Sequence, residues 1–386
     1  MSHPASPGTE TSVKERYAAA AKVREAALCC PVDYNQEFLK VIPEEVIKKD
    51  YGCGDPSQFL NPGETVLDLG SGTGKICFIA SQVVGPSGKV IGVDMTDDML
   101  EVAQRNAPII GERIGYSNVE FKKGRIQDLA LDLEALDLAL KEKPIDSSNA
   151  FLAAQELAES LRIKKPLIED NSIDVVVSNC VLNLVESSAK KQLFQEIFRV
   201  IRPNGRAVIS DIVSDEPVPQ RLQADPELWS GCISGALTET AFLEAFEEAG
   251  FYGVELVKRD SEPWQTVEGI EFFSVTVQAY KPENTPALEK NQAAVYHGPF
   301  KRVLEDEGQW FERGQRHAIS ERTFKRLKKP PFNQFFELIS PKKAVENPVA
   351  FKGQPGQVRP PHETKGRDFR LTTSASSCCD PGTECC

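Results

Sequence analysis

Nine consecutive residues restrict the fold more than any other stretch of the chain. Val66-Leu-Asp-Leu-Gly-Ser-Gly-Thr-Gly74 sets an apolar strand directly ahead of three alternating glycines, and Lys75 then opens a helical pattern. A turn this tight needs backbone angles that a Cβ resists, and it lets a ligand approach the main chain closely. Strand, glycine turn and helix make up half of a strand-helix-strand unit, and the pattern repeats. Short β-branched runs at Thr65–Leu69, Lys89–Asp94, Val119–Lys122, Ile173–Asn179 and Arg206–Val213 alternate with helical spacing over 75–84, 96–107 and 188–201. Such alternation predicts a parallel, doubly wound α/β sheet with right-handed crossovers. After a helix over 238–249, Phe251–Lys258 and Phe272–Tyr280 are separated only by Arg259–Glu271, too short for a packed crossover helix. That pair is expected as an antiparallel hairpin at the sheet edge.

The remaining segments divide by composition. Residues 1–10 are rich in Pro, Ser and Gly and read as disordered. Residues 11–63 form an N-terminal cap, with a helix over 13–28 started by the capping-box spacing of Ser12 and Glu15. The main domain spans 64–281 and includes a Leu/Ala-rich insertion at 129–165, expected to pack on the sheet. A linker near 281–286 leads to a small aromatic-rich domain over 286–340, and 341–386 is expected to be a disordered tail ending in cysteines. The chain has 45 Lys+Arg against 57 Asp+Glu, a net charge of −12. It therefore lacks the basic footprint of a nucleic-acid binder. No run approaches the roughly 18–20 apolar residues of a membrane span, and Met1–Glu10 lacks the pattern of a secretory signal. The expected location is the cytoplasm, with no nucleic-acid or membrane partner.

The glycine motif has the spacing Gly-x-Gly-x-Gly, not the Gly-x-Gly-x-x-Gly that opens onto a pyrophosphate. A cofactor without phosphate, carrying an amino acid and a nucleoside, suits it better. Asp94 ends the second strand 20 residues after Gly74, where a carboxylate can accept both ribose hydroxyls. The candidate cofactor residues are Asp68, near an ammonium group; Gly70, Gly72 and Gly74 in the turn; and Asp94 with its neighbour Met95. Ile126 and Gln127 or Asp128 are placed at the adenine, and Asn179 at the end of the fourth strand. The four histidines, His3, His297, His317 and His362, have no partner at metal-ligand spacing.

Ten cysteines stand at Cys29, Cys30, Cys53, Cys77, Cys180, Cys232, Cys378, Cys379, Cys385 and Cys386, too sparse for a disulfide scaffold. Cys77, in Lys-Ile-Cys-Phe-Ile-Ala, is expected to be a core residue. Cys180 closes the fourth strand, Cys232 lies beyond the fifth, and ligands of a doubly wound sheet bind outside the carboxyl ends of its strands. Cys53 sits between two glycines ahead of the first strand. Separations of 127 and 52 residues match no zinc-finger pattern. Each thiol alone reads equally well as a small buried hydrophobe; together they form a pocket for a soft, three-coordinate centre.

Tyr51-Gly-Cys-Gly54, Leu67-Asp-Leu-Gly-Ser-Gly-Thr-Gly74, Ser178-Asn-Cys-Val-Leu-Asn-Leu184 and Gly231-Cys-Ile-Ser-Gly-Ala236 resemble the arsenite S-adenosylmethionine methyltransferases. The likeness runs from about Cys29 to Ser340 and takes in Tyr296-His-Gly298 and Pro331-Phe-Asn-Gln-Phe-Phe-Glu-Leu-Ile339. It implies a seven-stranded, Rossmann-like class I S-adenosylmethionine-dependent methyltransferase fold with a small C-terminal α+β domain. It implies S-adenosyl-L-methionine as cofactor, As(III) on Cys53, Cys180 and Cys232, and arsenite presented as glutathione adducts for detoxification. It further implies a redox disulfide between Cys53 and an N-terminal cysteine, Cys30 or Cys29, recycled by thioredoxin or glutathione in a monomeric enzyme. The sequence departs from the family in its adjacent cysteines at 29 and 30, its insertion, and Gln127 where a glutamate is usual. Two rival functions remain: a methyltransferase of an organic small molecule, and a non-catalytic metalloid binder using the cysteine-rich tail.

Overall fold

The computed structural model describes residues 9–23, 25, 32–49 and 51–366. Cys29, Cys30 and the four cysteines of the tail lie outside them. The chain forms two compact units, Met1–Pro282 and Glu283–Cys386.

In the first unit the seven main strands are β1 (Thr65–Leu69), β2 (Lys89–Asp94), β3 (Val119–Lys123), β4 (Ile173–Asn179), β5 (Ile201–Ser214), β6 (Tyr252–Arg259) and β7 (Ile270–Tyr280). Their order is β3-β2-β1-β4-β5-β7-β6, all running the same way except β7, which is antiparallel to both of its neighbours. Short strands Leu237–Thr238 and Gln265–Val267 extend β5 and β7. The expected parallel sheet and edge hairpin are both present.

Alternation along the strands feeds two cores. Val66, Val90, Val175, Val177 and Val208 join Phe78 and Ile79 on one face, while Leu67, Ile91, Val176 and Ile209 join Phe194 and Phe246 on the other. Side chains alternate across a strand, so a run without polar residues serves helices on both sides. Truncating a fully buried member such as Leu67 to Ala is expected to cost about 2–5 kcal/mol. The chain turns back between β1, which runs out to β2 and β3, and β4, which leads the other way. A crevice opens at that point, at the carboxyl ends of the strands.

Five helices matter to the crevice and its surroundings: α1 (Thr9–Ala20), α2 (Lys75–Val84), α3 (Asp97–Ile114), α4 (Leu133–Glu142) and α5 (Ser148–Lys164). Helix α1 starts and stops earlier than the capping box suggests. Helix α3 runs through Pro108, beyond its expected end at 107, because Ile110 and Gly111 continue its buried face until Gly115 closes it in the left-handed region. The insertion, expected to pack on the sheet, touches it only at its edge, where Lys123 of β3 reaches Asp137 of α4 at 3.0 Å. Neither α4 nor α5 buries a residue, and Leu138, Phe151, Leu152 and Ile163 are exposed. The core holds the insertion's first residues, Leu129 and Leu131, and Leu167 and Ile168 just beyond it.

The second unit has a three-stranded antiparallel sheet of Gln292–Tyr296, Arg316–Ile319 and Phe336–Ile339, backed by the helix Glu321–Leu327. His317 is buried in it. Its Nε2 accepts from the Glu312 amide at 2.9 Å, which leaves Nδ1 as the donor to the Gly356 carbonyl at 3.0 Å. The stretch after Ser340, expected to be disordered, is folded as far as Gly366. Val349–Ala350 pairs with Leu288–Glu289, and buried Arg359 reaches Glu289 at 2.8 Å and the Gln292 carbonyl at 2.8 Å.

Candidate active site

The glycine turn leaves β1 under main-chain control. The amides of Gly70 and Ser71 donate to the Val93 carbonyl at 2.8 and 3.1 Å, which ties the turn to the end of β2. Gly70, Gly72 and Gly74 all have positive φ, but they serve different ends. A Cβ on Gly70 would lie 2.4 Å from Val181, and one on Gly74 would lie 2.7 Å from Phe121. A Cβ on Gly72 would meet nothing within 4 Å, because that side faces the crevice. Gly74 does not line the crevice, contrary to expectation; it is the left-handed start of α2, packed against Phe78 and Phe121.

Asp94 closes β2 with its carboxylate held from two sides. Gly72 N donates to Oδ2 at 2.9 Å and Thr96 N to Oδ1 at 2.8 Å. Burial raises its pKa, and these amide bonds oppose the shift. The Thr96 hydroxyl and the Met95 amide also hydrogen-bond to this carboxylate. Asp68, Met95, Ile126, Gln127 and Asn179 also line the crevice. Asp68 accepts from the buried Cys77 thiol at 3.2 Å, so Cys77 is a core residue that also steadies a site carboxylate. The buried Ser71 hydroxyl has no partner within the protein. Asp128, the alternative to Gln127, does not line the crevice; Arg162 of α5 holds its carboxylate at 2.8 and 3.1 Å. The insertion therefore buttresses this loop from outside. An orphaned Ser71 hydroxyl, an open Gly72 and a carboxylate at the end of β2 fit the amino-acid and nucleoside ends of S-adenosylmethionine.

The thiols converge at the other end of the crevice. Asn179, the last residue of β4, accepts from the amides of Cys53 and Gly54 at 2.8 and 2.9 Å and donates to the Gly54 carbonyl at 2.7 Å. Ser274 of β7 donates to the Cys53 carbonyl at 2.7 Å. The loop lies so close to these strands that a Cβ on Gly52 would sit 2.0 Å from Asn179, and one on Gly54 2.5 Å from Ser210. Asn179 thus borders the cofactor crevice but spends its amide on the Cys53 loop. Cys180, one residue further, is disulfide-bonded to Cys53 with their Cα atoms 5.7 Å apart. Cys53 is here paired with Cys180, not with Cys30 or Cys29 as the resemblance implies, and those two lie outside the described residues. The physical reason is local: the clamp on Asn179 lays Cys53 against the end of β4, where Cys180 comes next.

Cys232 completes the cluster. It follows the helix Pro226–Ser230, capped by Asp225, and its Sγ donates to the Cys180 carbonyl at 3.1 Å. Asn183 fastens the Cys232 carbonyl at 3.3 Å, and Trp229 donates to the Leu184 carbonyl at 3.1 Å. Cys180 and Cys232 both hold left-handed backbone, φ 60° and 62°. Non-glycine residues in that region cost on the order of 1–3 kcal/mol and collect at functional sites. With Cys53 and Cys180 oxidised, no group of three or more His, Cys, Asp or Glu among the described residues is arranged for a metal ion.

Sequence reasoning missed the groups behind the thiols. Asp211 accepts from the amides of Leu182 and Ile212 at 2.9 and 2.8 Å, and burial pushes its pKa up to about 6, opposed by those amides and by Lys190. Lys190 donates to the Leu182 carbonyl at 3.0 Å, and burial lowers its pKa to about 8, opposed by Asp211 and Cys232. A carboxylate inside the apolar run Ala207–Val213 was the available signal for Asp211. Tyr17 of α1, which lines the crevice and packs against the thiol cluster, gave none.

Comparison with known proteins agrees with this geometry. Residues 60–165 and 153–250 match the family model of a methyltransferase domain, and residues 283–369 match a family described as a domain of unknown function. An arsenite methyltransferase from Aquipseudomonas alcaligenes is 30% identical over 371 residues, 92% of this chain and 94% of that protein. The chain belongs to the arsenite methyltransferase family. It is accordingly an S-adenosylmethionine-dependent methyltransferase. The mouse arsenite methyltransferase is 31% identical, over 78% of this chain and 73% of that protein. The Halobacterium salinarum member is 37% identical over 240 residues, but that alignment spans only half of its length. Among solved structures, an arsenic(III) S-adenosylmethionine methyltransferase from Chlamydomonas reinhardtii matches with a TM-score of 0.54 and 26% identity, over 82% of this chain and 99% of that one. No helix among the described residues is long and apolar enough to cross a membrane.

Proposed function

We propose that this enzyme methylates trivalent inorganic arsenic, presented as glutathione adducts, as a cytoplasmic detoxification step, with Cys53, Cys180 and Cys232 as the substrate ligands. The observation that carries the reading is the convergence of three cysteines from three distant segments beside one crevice, which Cys180 itself lines. Soft thiolates suit a thiophilic, three-coordinate centre. Asp94, Asp68, Gly70, Gly72, Met95, Ile126 and Gln127 would hold S-adenosylmethionine, which supplies an electrophilic methyl group when bound. The protein's own contribution is aim. The thiolates fix the arsenic lone pair toward the crevice, and alignment of this kind can contribute roughly 7–11 kcal/mol. Arsenic carries no proton to remove, so no general base is needed.

Methylation at the lone pair raises the formal oxidation state of arsenic by two, and two thiolates closing to a disulfide return those electrons. The Cys53–Cys180 bond is the pair such a step would leave. A Cys30 thiolate attacking the Cys53 sulfur would expel Cys180 as a thiolate, and thioredoxin or glutathione would then reduce the new disulfide. The test is to incubate the full chain with arsenite, reductant and methyl-labelled S-adenosylmethionine, then speciate the arsenic. Labelled methylarsenicals are expected from the wild type and none from Cys180→Ser or Cys232→Ser. Full methylation by either variant would overturn the proposal.

A further inference from the structure

The left-handed backbone of Cys180 turns the chain off the end of β4. Its own amide still joins the sheet, donating to the Ser210 carbonyl of β5 at 2.8 Å, but the residues that follow form the short turn Leu182–Leu184. A buried backbone group without a partner is costly. Leu182 is buried, and two charged side chains meet its two backbone groups. Asp211 of β5 accepts from the Leu182 amide at 2.9 Å, and Lys190, at the start of the helix Lys190–Val200, donates to the Leu182 carbonyl at 3.0 Å. Asp211 also accepts from the amide of Ile212 at 2.8 Å, which fixes its carboxylate against β5. Both charged groups are buried, a costly place for a charge without such partners.

The turn passes this grip on to the Cys232 loop. Asn183 donates to the Ile212 carbonyl at 2.6 Å and to the Cys232 carbonyl at 3.3 Å. The Leu184 carbonyl accepts from Trp229 Nε1 at 3.1 Å, three residues before Cys232. The two segments lie so close that a Cβ on Gly235 would sit 1.9 Å from the Asn183 carbonyl oxygen. One short turn therefore follows Cys180 directly and supports the loop of Cys232. A non-glycine residue in the left-handed region persists only where its surroundings over-determine it. Here the surroundings of Cys180 are this turn and the two side chains that hold it.

We propose that Asp211 and Lys190 are positioning residues for the transfer: by holding the two backbone groups of Leu182 they keep Cys180 in its left-handed conformation and seat the Cys232 loop. This rests on the reading of both thiols as substrate ligands. Lys190→Met keeps the stem and removes the donor. Calorimetric titration of the reduced, full-length variant with sodium arsenite is expected to show binding about 3–10-fold weaker, the worth of one hydrogen bond, with turnover falling by a similar factor. In glutathione redox buffers, with the Cys53–Cys180 peptide followed by mass, the disulfide should form less readily by about the same 3–10-fold. Lys190→Met also strands the Asp211 carboxylate, so the melting temperature should drop. Asp211→Asn combined with Lys190→Met removes both charges and should recover much of that drop without recovering arsenite binding. Recovery of both together, or wild-type arsenite binding and disulfide equilibrium in Lys190→Met, overturns the proposal. A wild-type protein that does not bind arsenite overturns the functional reading instead, and the disulfide equilibrium then decides the hold on Cys180 by itself.

Discussion

The two halves of the site are built in opposite ways. The cofactor half is local: Gly70, Ser71 and Gly72 follow β1, Asp94 ends the adjacent β2, and amides of the turn itself hold the carboxylate. The thiol half is assembled from loops 127 and 52 residues apart and fastened by side chains, Asn179 on the Cys53 loop and Asn183 on the Cys232 loop. Backbone built into a sheet end is rigid by construction. Loops held by single amides can be loosened one at a time, so the two halves should fail separately.

The largest separation is expected from Asp94→Ala. Losing a buried carboxylate that accepts from a ligand diol should weaken S-adenosylmethionine binding by about 10–100-fold, read by calorimetry, while arsenite still quenches Trp229. Equal loss of both ligands would show that the halves are not independent. Asn179→Ala should do the reverse on a smaller scale. It frees the Cys53 loop and should lower turnover with arsenite by about tenfold, the effect of one or two hydrogen bonds, with KM for the cofactor nearly unchanged. A large rise in that KM would place Asn179 with the cofactor after all.

A third effect appears as stability. The folded pKa of Asp211, about 6, lies above its ordinary 3.8. Folding therefore takes up a proton between those values. The Asp211 contribution is fully present below pH 4 and falls as pH rises to 6, by on the order of 3 kcal/mol. Asp211→Asn should remove that slope in thermal melts across pH 4–7. An identical profile in wild type and variant would mean that Asp211 does not titrate there.

The same contrast explains what the chain reveals before folding. The strands around the crevice are legible because each is a short β-branched run buried on both faces, and Gly72 and Asp94 because one local turn needs both. The three thiols are legible as types, and the glycines beside Cys53 hint at close approach. Their partners are not. Asn179 looks like a cofactor contact until the loop it clamps is in place. Tyr17 is one aromatic on a surface helix until α1 lies over Cys232. The Cys53–Cys180 bond depends on how far that clamp draws the loop. Asp128 seems free for adenine until Arg162, on an insertion helix that buries no residue, takes its carboxylate. The segment after Ser340 looks disordered because Arg359, not an apolar residue, anchors it.

The most direct measurement is X-ray absorption at the arsenic edge on the reduced enzyme loaded with one equivalent of arsenite. Three sulfur neighbours are expected in the wild type, with one replaced by oxygen in Cys232→Ser. An arsenic atom bound mainly by oxygen, or a sulfur count that the Cys232→Ser change leaves untouched, would contradict the assignment of Cys53, Cys180 and Cys232 to a single atom.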